Sequence, residues 1–255
     1  MNQRSVPEAV HQAIELDIAL ARMHSQVEQR AWGLLYANPA NPHHHDSNTA
    51  RRIRAEQPEA AITELTAFYR DRGLTPRAKV DNLTVPHDLV ARLEAHGYLA
   101  STAVLRIMTW AGIPPAPPQL PPAVTIVRAG PEHLVEVTGV QAAGFGTADS
   151  SWIAGFLRIE LAHPAVRCYL AYVDGVPAAS LSAFDAQPIS LISNVATVPA
   201  LRGRGLATAL VALAQAESTG LLLLEVVEQN AERIYGRAGF EVRGELQQTS
   251  CWLSG

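Results

Sequence analysis

A proline-rich segment sets the first limit on how this chain can fold. Residues 112–124 read GIPPAPPQLPPAV and contain six prolines. Proline fixes its own φ angle and has no backbone N–H, so this density excludes a helix or a central strand and favours extended backbone. The segment therefore predicts a semi-rigid linker over residues 114–123, between an N-terminal lobe of residues 1–113 and a C-terminal lobe of residues 124–255.

The composition excludes several classes of protein. Apolar residues make up 48% of the chain and the formal net charge is −4. These values are typical of a globular protein and disfavour a nucleic-acid-binding protein, which is normally basic. No apolar run reaches the roughly 20 residues of a membrane span and no signal peptide is evident, so we expect a cytoplasmic protein with neither membrane nor nucleic acid as a partner. Cys168 and Cys251 fit no metal-ligand pattern and are expected to be free thiols.

The C-terminal lobe reads as a regular succession of strands and helices. Turn signals at Asp174-Gly175 and Gln187-Pro188 divide residues 167–198 into three strands joined as hairpins. With the apolar patterns on either side, the predicted order from residue 124 is β-α-α-β-β-β-α-β-α-β, closing in one or two strands. This order predicts an α/β (α+β) fold, a mixed central sheet with helices on both faces.

A basic glycine turn joins the third of these strands to the next helix. Residues 195–210 read VATVPALRGRGLATAL, so the run Arg202-Gly203-Arg204-Gly205 lies where the helix begins. A helix N-terminus leaves several N–H groups unpaired and carries partial positive charge, which suits a phosphate or pyrophosphate. A tight turn with solvated arginines is the alternative interpretation.

Two separated motifs resemble one family. The residues from Arg202 to Ala207 fit the pattern [QR]-x-x-G-x-[GA], and residues 231–240, AERIYGRAGF, form a short tyrosine-bearing helix that ends in Gly-Phe. Both are similar to signatures of the GNAT superfamily, the acyl-CoA-dependent N-acyltransferases. The resemblance covers residues 124 to about 252 and implies a GNAT-like sheet, acetyl-CoA as co-substrate, no metal, and transfer of an acyl group, most simply acetyl, to a primary amine in a ternary complex.

The resemblance also implies roles for individual residues. Tyr235 would be the general acid that protonates the departing thiolate, the alternative being a core aromatic residue. The Val198 N–H would lie near the acyl carbonyl and stabilise negative charge there. The predicted residues that bind the coenzyme are Ala196, Thr197, Val198, Arg202, Gly203, Arg204, Gly205, Leu206, Ala207 and Asn230. The acceptor is a small-molecule or peptide amine whose identity stays open, and the protein is expected to be a monomer or homodimer.

The sequence departs from the family pattern at two places. Asn230 lies five residues before Tyr235, whereas the family asparagine lies seven before, so Asn230 does not stand at the family position for the contact with pantetheine. Ser193 and Asn194 stand where many relatives carry a glutamate that takes the proton of the amine. The general base is therefore unassigned, and the open candidates are Glu225, Glu228, Glu160, Asp185 or a chain of water molecules.

The N-terminal lobe contains a weak repeat of the C-terminal one. Gly97-Tyr98 and Gly239-Phe240 are each followed by a tryptophan thirteen residues after the glycine, Trp110 and Trp252. Leu93 stands where Tyr235 stands in the second lobe, and no glycine occurs between Leu34 and Arg72. These features predict a degenerate GNAT-like lobe that has lost its chemistry.

Two further interpretations complete the sequence analysis. The run His43–His45, followed by Asp46, is expected to be an exposed loop, with a metal site or a part of the acceptor pocket as alternatives. Two other functions compete with acyl transfer: a non-catalytic acyl-CoA sensor, and a Rossmann-type dinucleotide-binding protein suggested by Gly203-x-Gly205 with Glu225 twenty residues later.

Overall fold

Seven α-helices and eleven β-strands make up the part of the chain that the structure describes. The computed structural model describes residues 6–113, 120–227 and 229–254. In chain order the elements are α1 (Glu8–His24), β1 (Gln26–Arg30), β2 (Gly33–Ala37), β3 (Ala50–Arg51), α2 (Pro58–Arg70), β4 (Arg77–Val80), α3 (Leu89–Ala95), β5 (Leu99–Trp110), β6 (Val124–Ala129), α4 (Leu134–Phe145), α5 (Ser151–Glu160), β7 (Val166–Val173), β8 (Val176–Ala186), β9 (Ile189–Thr197), α6 (Leu206–Ala216), β10 (Leu221–Val226), α7 (Gln229–Arg237) and β11 (Glu241–Trp252).

The chain divides into two compact units. The first unit comprises Met1–Leu105 and Glu245–Gly255, and the second comprises Arg106–Gly244. The linker predicted over residues 114–123 falls largely outside the described residues, which resume at residue 120. The lobe boundaries read from the sequence therefore stay a prediction.

The second unit contains a mixed sheet. Strands β6, β7, β8 and β9 are joined antiparallel, β9 pairs in parallel with β10, and β10 pairs antiparallel with the last residues of β5. The β7–β8 hairpin turns at Asp174 and Gly175, whose φ angles of +50° and +77° match the left-handed turn that the Asp-Gly pair predicts. The predicted order of strands and helices and the mixed-sheet fold class are confirmed.

Helices cover both faces of this sheet, as predicted. Leu206, Leu210 and Val211 of α6 pack with strand residues such as Leu181 and Leu224 on one face. On the other face α4 and α5 pack against Cys168, Leu170 and Ala196. Alternate residues of each strand thus point to helices on opposite faces of the sheet.

Both cysteines, Cys168 and Cys251, are free thiols and are buried.

The first unit has its own sheet and core. β2 pairs antiparallel with β1 and β3, β3 pairs in parallel with β4 at Ala50 and Ala78, and β4 pairs antiparallel with residues 249–252 of β11. Helices α2 and α3 contribute Leu65, Tyr69 and Leu93 to its core. Helix α2 has Pro58 in its first turn and no side-chain cap.

The segments that carry the sequence repeat have the same local backbone. Gly97 and Gly239 both follow a helix and both have a φ angle of +86°. The Tyr98 N–H donates to the Leu93 carbonyl at 3.0 Å, and the Phe240 N–H donates to the Tyr235 carbonyl at 3.0 Å. Each glycine precedes a 12-residue strand that ends in a tryptophan. Leu93 therefore holds the local backbone position of Tyr235 without its hydroxyl.

Candidate active site

The glycine turn, residues 202–205, connects β9 to α6 through a short 3-10 turn at Pro199–Leu201. Gly203 and Gly205 both have a φ angle of +76°, and among the described residues no atom lies within 4 Å of the position that a Cβ would take at either. Only glycine adopts this left-handed backbone readily. The two glycines therefore keep the outer side of the turn free of side chains.

The backbone N–H groups from Gly203 onward, where α6 begins, lack hydrogen-bond partners among the described residues. The first hydrogen bond of α6 runs from the Ala209 N–H to the Gly205 carbonyl at 2.9 Å, and Gly205 caps the helix without a side-chain bond. Within the described chain, the six N–H groups of residues 203–208 have no acceptor. A run of free donors at a helix N-terminus is chemically suited to an anion with several oxygen atoms, such as a pyrophosphate.

The two arginines of the turn differ in what they contact. The Arg202 side chain donates from Nε to the Thr197 carbonyl at 3.3 Å and from Nη2 to the Gly144 carbonyl at 2.9 Å. Arg202 thus ties the turn to the end of β9 and to α4. Arg204 is exposed and, among the described residues, has no ion pair or hydrogen bond through its side chain. Arg204 is the arginine whose charge is available to a ligand.

A gap opens between the two parallel strands that precede and follow α6. β9 pairs with β10 from Ile189 to Ile192, opposite Leu221 to Leu224, and the pairing then stops. β10 continues to Val226 beside β5, while Ser193–Thr197 of β9 has no register partner in β10. We call the space beside Ser193–Thr197 the strand cleft. Its unpaired backbone groups can bond to an extended ligand as a neighbouring strand would.

The expectation for the Val198 N–H was wrong. This N–H donates to the Ala178 carbonyl of β8 at 2.9 Å, so it is not available to an acyl carbonyl. The cause is the antiparallel register, in which Thr197 and Ala196 lie opposite Ala179 and Ser180 and continue the β8–β9 ladder.

The structure shows a bulge in β9 that was not predicted from the sequence. The β8–β9 register shifts between Ser180 and Ser182, and Asn194 there has a φ angle of +52°. Asn194 and Val195 have no register partner in β8 or in β10. Asparagine tolerates the left-handed region better than most residues, which is the one local signal that this bulge leaves in the sequence.

Tyr235 lies on α7 with its ring half-buried. Its ring packs edge-on to Phe240, with 6.1 Å between ring centroids, beside the core that faces α6. Burial raises the pKa of Tyr235 to about 12, so the phenol stays protonated at neutral pH. Among the described residues its hydroxyl has no hydrogen-bond partner, so the proton is not committed elsewhere in the chain.

The candidates for the general base differ in their surroundings. Both oxygens of the Asp185 carboxylate accept from Arg167, at 2.7 and 2.8 Å, and the Ser190 hydroxyl also donates to it. Burial alone would raise the pKa of Asp185, but these hydrogen bonds outweigh burial and leave it lowered. Glu225 directly follows Leu224, the last residue of β10 that pairs with β9, so it stands at the strand cleft. Glu160 is the last residue of α5 and is buried.

Some expectations fall on residues that are not described. Glu228 lies outside the described residues, and Asn230 lies on α7 but its side chain is outside the description. The roles suggested for both residues stay predictions.

The histidine run lies in and beside the 3-10 turn at His45–Ser47. His43 and His45 are exposed, whereas His44 is half-buried and hydrogen-bonded through Nδ1 to Ser47. Burial lowers the pKa of His44 to about 4. The described residues hold no cluster of three metal-ligating side chains, and among the described helices none combines the length and apolar character that a membrane crossing requires.

The pairing of the strands rules out one competing interpretation. A Rossmann-type sheet is parallel, with a helix between successive strands. Here β7, β8 and β9 follow one another as antiparallel hairpins with no helix between them. Among the described strand pairs of the second unit, β9–β10 alone is parallel. The glycine turn therefore does not belong to a dinucleotide-binding fold of that type.

Comparison with known proteins gives the family of the second unit. The family model for the acetyltransferase (GNAT) domain matches residues 164–242. This range contains the strand cleft, the glycine turn and Tyr235. No curated protein sequence matches the chain.

Solved structures show the same fold over nearly the whole chain. A GCN5-related N-acetyltransferase from Kribbella flavida is 19% identical, with a TM-score of 0.69 over 98% of this chain and 97% of that one. A tandem GNAT protein from the clavulanic acid biosynthesis pathway is 18% identical, with a TM-score of 0.59 over 98% of both chains. A GNAT-family acetyltransferase structure from Novosphingobium aromaticivorans is 20% identical, with a TM-score of 0.60 over 90% and 92%. The chain therefore has the fold of these GNAT structures, and residues 164–242 of its second unit match the family model of the GNAT acetyltransferase domain.

Proposed function

We propose that this protein transfers an acetyl group from acetyl-CoA to a primary amine. The observation that carries the proposal is the run of six unpaired N–H groups at residues 203–208, next to bare space above Gly203 and Gly205. These donors fit the pyrophosphate of coenzyme A, and the side of Ser193–Thr197 that has no partner in β10 fits an extended pantetheine arm. Acetyl-CoA bound there supplies an acetyl group activated as a thioester.

The chain's own groups have separate tasks in this proposal. Residues 203–207 bind the pyrophosphate, with Arg204 adding positive charge and Arg202 holding the turn in place. Because the Val198 N–H is engaged, we assign the donor for the acyl oxygen to Val195, which the bulge leaves without a strand partner. Such a donor stabilises negative charge that develops during transfer.

Tyr235 acts as the general acid in this scheme. Its raised pKa keeps a proton on the phenol, and the phenol has no competing acceptor among the described residues. When this proton passes to the departing sulfur, coenzyme A leaves as the neutral thiol and Tyr235 becomes a phenolate.

A thiol-release assay tests the proposed function. Acetyl-CoA is incubated with representatives of five amine classes: amino acids, polyamines, aminoglycosides, peptide N-termini and protein lysines. We expect free thiol with at least one class, and its loss in Tyr235→Phe. Normal coenzyme binding without thiol release from any amine, and no effect of Tyr235→Phe, would instead support the non-catalytic sensor.

A further inference from the structure

The bulge at Asn194 changes how β9 pairs with β8. Ser182 lies opposite Ser193, and Ser180 lies opposite Ala196. Two steps along β8 therefore correspond to three steps along β9, and the bulge gives Asn194 a φ angle of +52°. A bulge of this kind bends its strand and redirects the groups that follow it. The bulge therefore decides which backbone groups after Asn194 face β8 and which face the strand cleft.

The first unit contains a bulge of the same kind directly after β3. Leu34 of β2 lies opposite Arg51 of β3. The Trp32 carbonyl, two residues before Leu34, accepts from the N–H of Arg54, three residues after Arg51, at 2.7 Å. Arg52 lies within this bulge and has a φ angle of +52°, the value that Asn194 has in β9. The two units thus share a bulge with the same residue count and the same left-handed backbone.

Both bulges lie where two parallel strands stop pairing. Asn194 comes two residues after Ile192, the last residue of β9 that pairs with β10. Arg52 comes two residues after Ala50, the residue of β3 that pairs with β4. In each unit a parallel pair is followed by a bulge and then by a stretch that the next strand no longer accompanies. The first unit is therefore an internal reference for the backbone of the strand cleft.

In the first unit the chain itself occupies the space beyond the bulge. Val85 forms an isolated parallel bridge with Arg54. The Val85 N–H donates to the Ile53 carbonyl at 3.0 Å, and the Val85 carbonyl accepts from the Ala55 N–H at 2.8 Å. Because the Arg54 N–H donates to Trp32, beside β2, the groups of its two neighbours face the opposite side, that of β4. The bulge thus directs one carbonyl and one N–H into the space where Val85 lies.

The matching groups of the second unit are the Val195 carbonyl and the Thr197 N–H. They come one and three residues after Asn194, as the two groups that bond to Val85 come one and three residues after the first bulge residue. The Val198 N–H donates to β8, so the backbone groups of Thr197, one residue earlier, face away from β8. The Val195 carbonyl and the Thr197 N–H therefore face the strand cleft.

We propose that Asn194 is a positioning residue for acetyl transfer, a role that rests on the proposed function. Its left-handed backbone turns the Val195 carbonyl and the Thr197 N–H into the strand cleft. There an amide N–H of the pantetheine arm donates to Val195, and an amide carbonyl of the arm accepts from Thr197, as the backbone of Val85 does in the first unit. These two bonds hold the thioester beside the Val195 N–H, the donor assigned to the acyl oxygen.

The identity of residue 194 matters for its backbone. Asparagine adopts the left-handed region more readily than most residues, whereas a β-branched residue is strained there. Asn194→Val therefore favours an extended backbone, which displaces the bulge and misaligns the groups that follow. Asn194→Gly removes the whole side chain and keeps the left-handed backbone accessible. The two variants separate the backbone conformation from any role of the side-chain amide.

Kinetics of these variants test the proposal, with Arg52→Val as the matched control because it places the same strain on a bulge that faces no coenzyme. With acetyl-CoA and the most active amine of the panel, we expect Asn194→Val to lower kcat about 100-fold and to weaken coenzyme A binding about tenfold. Asn194→Gly should stay within about threefold of wild type in both quantities. Arg52→Val should lower the melting temperature and leave kcat within about twofold.

The milder variant Asn194→Ala covers the case in which Asn194→Val does not fold, and we expect its kcat to fall about tenfold. Equal kcat in Asn194→Val, or in Asn194→Ala, and Arg52→Val would overturn the positioning role. Loss of activity in a folded Asn194→Gly would also overturn it, because the side-chain amide would then be the part that matters.

A measurement without turnover tests the same groups. In a crystal structure with coenzyme A, we expect a pantetheine amide nitrogen within about 3.2 Å of the Val195 carbonyl oxygen and an amide oxygen equally close to the Thr197 nitrogen. A pantetheine arm that bonds to neither group would overturn the positioning role and leave acetyl transfer intact, provided the wild-type protein releases thiol. Absence of thiol release with every amine would remove the proposed function, and the positioning role with it.

Discussion

Ile192 and Leu224 form the last pair between two parallel strands that begin side by side and then separate. Beyond this pair β9 has no partner in β10, and ten residues after Ile192 the chain reaches the glycine turn, residues 202–205. The strand cleft and the glycine turn are therefore consecutive parts of one binding path. The same pair fixes Ser193 and Glu225 at the mouth of the strand cleft.

Substitution of Gly205 tests whether the turn binds coenzyme. Gly205→Glu places a carboxylate beside the free N–H groups and strains a backbone with φ of +76°. We expect coenzyme A binding, measured by titration calorimetry, to weaken by at least about 100-fold. Gly73→Glu is the matched control, because Gly73 has a φ of +66° and an equally open Cβ position in the first unit. Unchanged affinity in Gly205→Glu would show that the turn does not hold the coenzyme.

Removal of the Tyr235 hydroxyl tests the general acid. Because the hydroxyl has no partner among the described residues, Tyr235→Phe should leave the fold and the coenzyme affinity unchanged. We expect the rate of thiol release to fall about 100-fold or more. A rate within twofold of wild type, at equal melting temperature, would assign Tyr235 to core packing.

The pKa of Tyr235 predicts the alkaline side of the rate profile. A phenol with a pKa near 12 keeps its proton up to about two pH units below that value. Thiol release should therefore not decline between pH 8 and about pH 10 through ionisation of Tyr235. The profile is measured in wild type, with Tyr235→Phe as reference. A wild-type decline centred near pH 9 that is missing in Tyr235→Phe would contradict this environment for the phenol.

The two arginines of the turn should give different phenotypes. Arg202→Ala removes the bonds to the Thr197 and Gly144 carbonyls, so we expect lower thermal stability and coenzyme binding weakened about tenfold. Arg204→Ala removes an exposed charge, so its smaller effect should appear at low ionic strength and vanish in high salt, with no change in melting temperature. The same salt response in both variants would count against a holding role for Arg202.

The ion pair of Arg167 and Asp185 should matter for stability and not for binding. Asp185→Ala leaves a nearly buried guanidinium without its carboxylate, and we expect a loss of about 3 kcal/mol in the free energy of unfolding, measured in urea. Ser190→Ala removes one bond to the same carboxylate and should cost about 1 kcal/mol. The pKa of Asp185 is lower in the folded state than in the unfolded chain. The stabilisation by its carboxylate is therefore present above about pH 4 and fades as the pH falls further. Equal acid sensitivity of Asp185→Ala and wild type would contradict that assignment.

Strong local signals explain why the order of elements in the second unit could be predicted. The Asp174-Gly175 pair fixes a hairpin turn by itself, and the glycines at 203 and 205 permit a backbone that other residues avoid. The register of β9 carries no such signal. A bulge of one residue at Asn194 decides which N–H groups face β8, so the engagement of Val198 with Ala178 could not be read from the chain.

The positions of the candidate bases could not be predicted for a related reason. Glu225 and Asp185 could be named as candidates from the sequence. Only strand pairing places Glu225 directly after the last pair between β9 and β10, and only packing brings Arg167 to the Asp185 carboxylate.

The central claim is that the N–H groups of residues 203–207 hold the pyrophosphate of coenzyme A. A crystal structure of the complex with coenzyme A measures this directly. The account predicts phosphate oxygens within about 3 Å of several of these N–H groups. Coenzyme bound elsewhere, with the N–H groups of the glycine turn facing solvent, would contradict it.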